Sequence, residues 1–459
     1  MAPVLLVRQP SGYEAERRYV AEVVLTEFLG LDIAIQTEER EDVAITLADG
    51  SASTVLSVSD VLFTTPRADW LTERALPGLP LRTLDLTKTT LAPPAFDDPI
   101  PVLYARPDRS GSLIEVDDAG LRLGVDVFGG TFLLLTRYEE LALDERDEHG
   151  RFPAGASLAE RAGFLQRPLV NEYVELLWSA LSSLWPRLSR RERRFSILPS
   201  HDVDFPSIEP VRGEAGERAL RELRRERAPV VAVRRLLAPA IGSDLYDTFD
   251  LIMSMSEKRS LRSSFNFIPV NTAGAIDGAY TLDDPNIRRL LTAIAERGHE
   301  IGFHPGYATF DDPERTRQDF LRLRAVCDEL GIDQPEWGGR QHYLRWRNPT
   351  TWQNWDDAGL DYDSTLSFAS RAGFRCGVCY EYPVFNLLTS ERLRLRERPL
   401  VVMDASLLSY QRLSPDQAGE QIERLKEKCR RVNGQFTLLW HNDRLLSRRA
   451  RQAYARAIS

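Results

Sequence analysis

The spacing of apolar residues changes character near residue 195. Before it, both periods are mixed. Tyr13 to Leu29 and Val170 to Trp185 repeat at helical spacing, and Pro186 stops the second. Short apolar runs such as Thr131-Phe-Leu-Leu-Leu-Thr136 alternate with turn-rich polar stretches such as Asp144 to Pro153. This portion reads as α/β, and nothing in it suggests chemistry. From Phe195 onward the pattern becomes regular. Asp284-Pro285, Asp312-Pro313 and Ser414-Pro415 each offer a cap residue and a first-turn proline, and Gly298, Gly331 and Gly434 stand at the matching ends. Between them Ile287, Leu291 and Ile294, then Phe320, Leu323 and Cys327, then Ile422, Leu425 and Cys429 mark the buried faces.

Seven short runs read as strands: Phe195 to Leu198, Ser264 to Phe267, Glu300 to Phe303, Trp337 to Arg340, Asp361 to Asp363, Val401 to Met403 and Phe436 to Trp440. Strands alternating with helices predict an α/β fold with a parallel sheet. About seven such units suit an incomplete (β/α) barrel, with a doubly wound open sheet as the alternative. The predicted layout is a smaller α/β domain over residues 1–190 and the barrel over 195–459. The basic cluster at Arg190 to Arg194 forms the junction, and an Arg-rich helical insertion near 210–240 reads as a solvated helix.

With 59 Lys and Arg against 68 Asp and Glu, the net charge of −9 excludes a basic nucleic-acid binder. The amino terminus has no basic leader and only a four-residue apolar run, and nowhere do about 18 apolar residues run together as a membrane span requires. Four cysteines are too few for a disulfide scaffold in this length, and the single Cys376-Gly-Val-Cys379 reads as a thiol pair. A soluble cytoplasmic protein without nucleic-acid or membrane partners is expected.

Of six histidines, four fall at or just past a predicted strand end: His201, His304, His342 and His441. Asp202, Asp204, Asp363 and Asp404 do the same. In a parallel barrel all strand carboxyl ends open on one face, so these residues converge there. Imidazoles and carboxylates crowded together call for a cation or substrate to organise them, and a divalent metal, with zinc suiting the nitrogen and oxygen donors, would do so.

The stretch from about Phe195 to Leu446 resembles the polysaccharide deacetylase family, also called NodB-homology or carbohydrate esterase family 4. Its members are metal-dependent deacetylases on an incomplete (β/α) barrel. The resemblance is carried by His201-Asp-Val-Asp204, Gly298-His-Glu-Ile-Gly-Phe-His-Pro305, Arg340-Gln-His342, Asp361-Tyr-Asp-Ser-Thr365 and His441. It implies Asp202 as base, Asp204 and His304 as metal ligands, Arg340 orienting the base, His441 as acid and Asp363 supporting His441. The family's second metal histidine lies four residues after the first, where this chain has Ala308. His342 is the preferred replacement, with His201 next, and His299 reads as structural. The implied reaction removes an acetyl or other acyl group from an N-acetylated aminosugar or related carbohydrate. The oxyanion would rest on the metal and a backbone donor, the amide of Tyr343. Trp346, Tyr343, Tyr307 and Phe368 are candidates to stack on a sugar ring. Two alternatives stay open, an amidase acting on a small N-acyl compound and a carbohydrate-binding protein that has lost hydrolysis.

Overall fold

The computed structural model describes residues 4–50, 53–89, 91, 99–207 and 246–459. The Arg-rich insertion expected near 210–240 lies outside them. Two sheets form from separate stretches of chain. In the first, β1 (Leu5–Pro10), β2 (Ile33–Glu38), β3 (Val43–Leu47), β4 (Val55–Val58), β7 (Ile114–Asp117) and β8 (Gly120–Leu123) make a mixed six-stranded sheet in the order β2-β1-β3-β4-β8-β7. A two-stranded ribbon of β5 (Arg82–Leu84) and β6 (Ile100–Val102) stands apart from it. The apolar run at Thr131 to Thr136 falls in the helix Val127–Leu135, buried along its whole length, whose amino end Asp126 caps by accepting from the Gly129 amide.

The second sheet has nine strands: β9 (Ser196–Val203), β10 (Ser264–Phe267), β11 (Glu300–Phe303), β12 (Gly338–Gly339), β13 (Tyr362–Asp363), β14 (Tyr382–Asn386), β15 (Glu391–Glu397), β16 (Val402–Met403) and β17 (Gln435–Leu439). Their order is β14-β15-β13-β12-β11-β10-β9-β17-β16, every neighbouring pair being parallel except β14 with β15. All seven expected strands are present within a residue or two, except that β9 runs on through Val203, so His201 and Asp202 belong to the strand itself. The hairpin β14–β15 was not among the expected strands, although Leu393 and Leu395 alternate with charged residues as in a half-buried strand. Helices Pro285–Glu296, Pro313–Glu329 and Pro415–Arg431 begin where the cap residues predict. Asp312 and Ser414 accept from backbone amides in their first turns, whereas the Asp284 side chain makes no such bond at its helix.

Side chains alternate across a strand, and the register fixes which ones share a face. Asp202 pairs with Asn266, which pairs with Gly302, so even-numbered positions of β9, β10 and β11 point together. This face is polar and turned inward: Ser200, Ser264, Asn266, Glu300, Tyr362 and Thr437 line one cavity of about 210 Å³, whose walls draw on six strands. The sheet therefore curls around that space, while its end strands β14 and β16 stay unpaired to each other. Odd-numbered positions face the helices. Phe265 meets Phe249, and Phe303 meets Phe320 and Trp355, at ring separations of 6.1, 5.5 and 5.4 Å. One continuous apolar core joins residues of both sheets, from Leu5 to Ile458.

Candidate metal centre at the carboxyl edge of the sheet

Phe303 pairs with Gly339, and Gly339 with Asp363. The residues just past this row, His304 and Arg340, therefore emerge side by side with Asp204, which follows Val203 on β9. His304 Nε2 lies 3.2 Å and His342 Nε2 3.6 Å from Asp204 Oδ1. The donor atoms of Asp204, His304 and His342 all lie within 4.8 Å of one another, the one such group found among the described residues. Both imidazoles are turned by their far nitrogens. His304 Nδ1 donates to the Arg340 carbonyl at 2.6 Å, and His342 Nδ1 donates to Asp277 Oδ1 at 2.8 Å, which leaves each Nε2 as a lone-pair donor aimed at the same spot. With these hydrogen-bond roles the three groups could hold a divalent cation. Asp204 Oδ1 and His304 Nε2 are buried with no hydrogen-bond partner, a costly state that coordination would relieve.

Beside this triad stand two supported pairs. Asp202 Oδ1 accepts from Arg340 Nη1 at 2.8 Å and from Asn266 Nδ2 at 2.7 Å, while its Oδ2 faces His304 Nε2 at 3.9 Å. Burial pushes the Asp202 pKa up, but the Arg340 guanidinium and the nearby histidines outweigh it and hold the carboxyl below the ordinary range. Asn266 reaches Asp202 only because Gly302 is beside it, since a Cβ there would stand 1.8 Å from Asn266 Oδ1. Opposite, His441 Nδ1 donates to Asp404 Oδ1 at 2.8 Å, and its Nε2 stands 3.7 Å from Asp204 Oδ2. Burial disfavours charge on His441, yet the Asp404, Asp204 and Asp202 carboxylates push its pKa up to about 10. These carboxylates therefore favour its imidazolium form at neutral pH.

The structure brings Asp202, Asp204, His304, Arg340, His342 and His441 together and corrects four expectations. Asp404, not Asp363, supports His441. Asp363 Oδ1 instead accepts from the Thr365 amide at 2.9 Å and from the Thr365 hydroxyl, and burial raises its pKa to about 7. Odd-numbered His201 points to the helix layer, stacks on Phe265 at 4.9 Å and donates Nδ1 to the Trp440 carbonyl, so it cannot reach the triad. Trp346 is 2% exposed and packs edge-on against Trp352 at 4.8 Å, leaving no face for a substrate. Phe368, equally buried, is likewise unavailable. Tyr343, 36% exposed, and half-buried Tyr307 do sit at the rim, with rings 5.3 Å apart. His299 is structural, its Nδ1 accepting from the Ser263 amide at 3.1 Å.

The supporting residues Asp277, Asn266 and Asp404 were not assigned from sequence. Asp404 stands at a predicted strand end and carries the same positional signal as the others. Asp277 lies in an irregular loop after β10 and offers none. All four cysteines are free and buried. Cys379 lies against Asn171 and Cys429 rather than against Cys376, which neighbours Tyr382.

Residues 5–186 match a family described only as a family of unknown function, DUF7033. No curated protein matches the chain. Among solved structures, similarity is found to a Mycobacterium smegmatis protein provisionally named a polysaccharide deacetylase, at 17% identity over 58% of this chain and 84% of that one, with a TM-score of 0.38. Puue allantoinase is similar at 14% identity over 58% and 83%, with a TM-score of 0.34. A mutant CE4-family pseudoenzyme with restored enzymatic activity is similar at 11% identity over 58% and 62%, with a TM-score of 0.29. No helix among the described residues is long and apolar enough to cross a membrane.

Proposed function

We propose that the protein is a metal-dependent hydrolase that removes an acyl group, with an acetylated aminosugar or related carbohydrate as its substrate class. The observation that carries this reading is the triad itself, in which Asp204, His304 and His342 turn ligand atoms to one locus, those of Asp204 and His304 being buried without a hydrogen-bond partner, between the Asp202–Arg340 and His441–Asp404 pairs. A divalent metal there, zinc by the donor chemistry, would supply Lewis-acid polarisation of the acyl carbonyl and a water of lowered pKa. Everything else is done by the chain. Asp202, kept ionised by Arg340 and fixed by Asn266, takes the proton of the attacking water. His441, held protonated and oriented by Asp404, gives a proton to the leaving amine or alkoxide. The Tyr343 amide, next to ligand His342, supplies a donor for the developing oxyanion. His342 takes the place of the histidine that the related motif puts where this chain has Ala308, and Asp277 fixes its tautomer.

The test is metal analysis of the intact chain followed by assay on N-acetylglucosamine oligomers, acetylated xylan and small N-acyl amides, with zinc or cobalt added. Near-stoichiometric metal and hydrolysis of an acetylated sugar are expected. A chain that takes up no divalent metal and hydrolyses none of these substrates would refute the proposal. Turnover confined to the small amides would replace the sugar by a non-carbohydrate acyl compound.

A further inference from the structure

The loop that carries His342 has an unusual backbone. Tyr343 and Leu344, neither of them glycine, both lie in the left-handed region, at φ of 60° and 55°. Such a conformation persists only where surroundings hold it. Here part of the holding comes from the other end of the sequence. Arg151 Nη1 donates to the Tyr343 carbonyl at 2.9 Å. Arg151 is in turn fixed by Asp147, which receives its Nε and Nη2, each at 2.8 Å, and accepts from the backbone amides of His149 and Arg151, each at 2.9 Å. The grip is mutual. Arg345, just past the strained pair, donates to the His149 carbonyl at 2.8 Å and to the Tyr307 carbonyl at 2.5 Å. His149 Nδ1 lies 3.0 Å from the Tyr307 hydroxyl, and its ring packs 4.9 Å from Tyr343, whose own ring is 4.9 Å from His342.

We propose that the turn Asp147–Arg151, which belongs to the DUF7033-matched portion, is a working part of the metal centre. Arg151 is a positioning residue that sets His342 through the Tyr343 carbonyl, and Asp147 makes the turn rigid enough to do so. The portion of unknown function then has a role in this chain. It supplies the outer brace of a ligand loop that the second portion holds through Asp277, Thr365 and the Tyr307 carbonyl. This inference rests on the hydrolase reading in one respect, that His342 is a metal ligand.

The test uses the full-length chain, stripped of metal by chelation and titrated with Co²⁺ alone while the visible d–d absorption is recorded. Arg151→Ala is expected to weaken Co²⁺ binding about 10 to 100-fold, as loss of an outer-shell partner does, and to alter the band shape. Arg151→Lys should restore part of the affinity. If Arg151→Ala fails to fold, as judged by circular dichroism, Asp147→Asn keeps the guanidinium and should give a smaller loss of the same sign. Wild-type affinity and an unchanged band in the folded Arg151 and Asp147 variants would overturn the brace while leaving the hydrolase reading intact. A wild-type chain that binds no Co²⁺ would overturn both.

Discussion

Two clusters of buried charge in this molecule look alike in composition and differ in what they leave undone. In the first, Arg137 and Arg375 enclose Glu139 and Glu140. Arg137 meets Glu139 at 2.6 Å and Glu140 at 2.8 Å, and Arg375 meets Glu140 at 2.5 and 2.9 Å through two nitrogens. The remaining Glu139 oxygen accepts from the Leu158 amide, and Arg375 reaches the Ser367 carbonyl. Its carboxylates are matched, and the cluster ties the first portion of the chain to the second. In the other, His304 and His342 are buried and Asp204 is partly so, and Asp204 Oδ1 and His304 Nε2 are left without a hydrogen-bond partner. A closed network locks a fold, whereas an open one waits for something to complete it.

The sharpest test of that contrast removes groups from the open cluster. Asp202→Asn and His441→Ala should each reduce turnover about 100 to 10,000-fold with metal content unchanged, read by steady-state kinetics beside metal analysis. Full activity in either would return that residue to a structural role. Next, Glu140→Ala should leave two buried guanidinium groups short of a partner and lower unfolding stability by about 3 to 5 kcal/mol in a denaturant titration, with Co²⁺ affinity of the folded fraction unaltered. A stability cost below that of an ordinary surface change would show the closed network to be ornamental.

A third prediction concerns pH. Burial pulls the His201 pKa down to about 4, so this imidazole stays neutral in the folded protein, while the unfolded chain takes up a proton below about 6.5. The unfolded state thus gains as pH falls from about 6.5 to 4, and stability should drop by about 3 kcal/mol over that interval. His201→Gln should flatten this part of the stability profile, and an unchanged slope would assign it to other groups. The smallest effect separates the two aspartates. Asp363→Asn replaces a carboxyl that burial already holds near neutrality and should change turnover less than about twofold, whereas Asp404→Asn should lower it and shift its pH profile.

Much of this was legible in the amino-acid sequence because both strand position and residue type report locally. His304, Arg340 and His441 follow apolar runs directly, and a parallel sheet has to bring such positions to one edge. Parity was harder to read. With β9 expected to end at Leu198, strand position did not separate His201 from Asp202, and only the longer strand shows that adjacent residues face opposite sides. The partners that tune the site were less visible still. Asp277 comes from an irregular loop, and Arg151 from a turn nearly two hundred positions before the carbonyl it holds. Neither loop has a period, so their meeting is a property of tertiary packing.

The hairpin β14–β15 carries a last consequence. β14 is the outermost strand, and the helical segment near the amino terminus lies over it, with the Tyr19 hydroxyl donating to the Pro383 carbonyl at 2.8 Å and the Tyr19 ring resting 4.7 Å from Phe385. Expressed without its first 190 residues, the second sheet would offer neighbouring molecules a bare edge strand, an invitation to self-association. The leading portion thus also covers the outer edge of the second sheet.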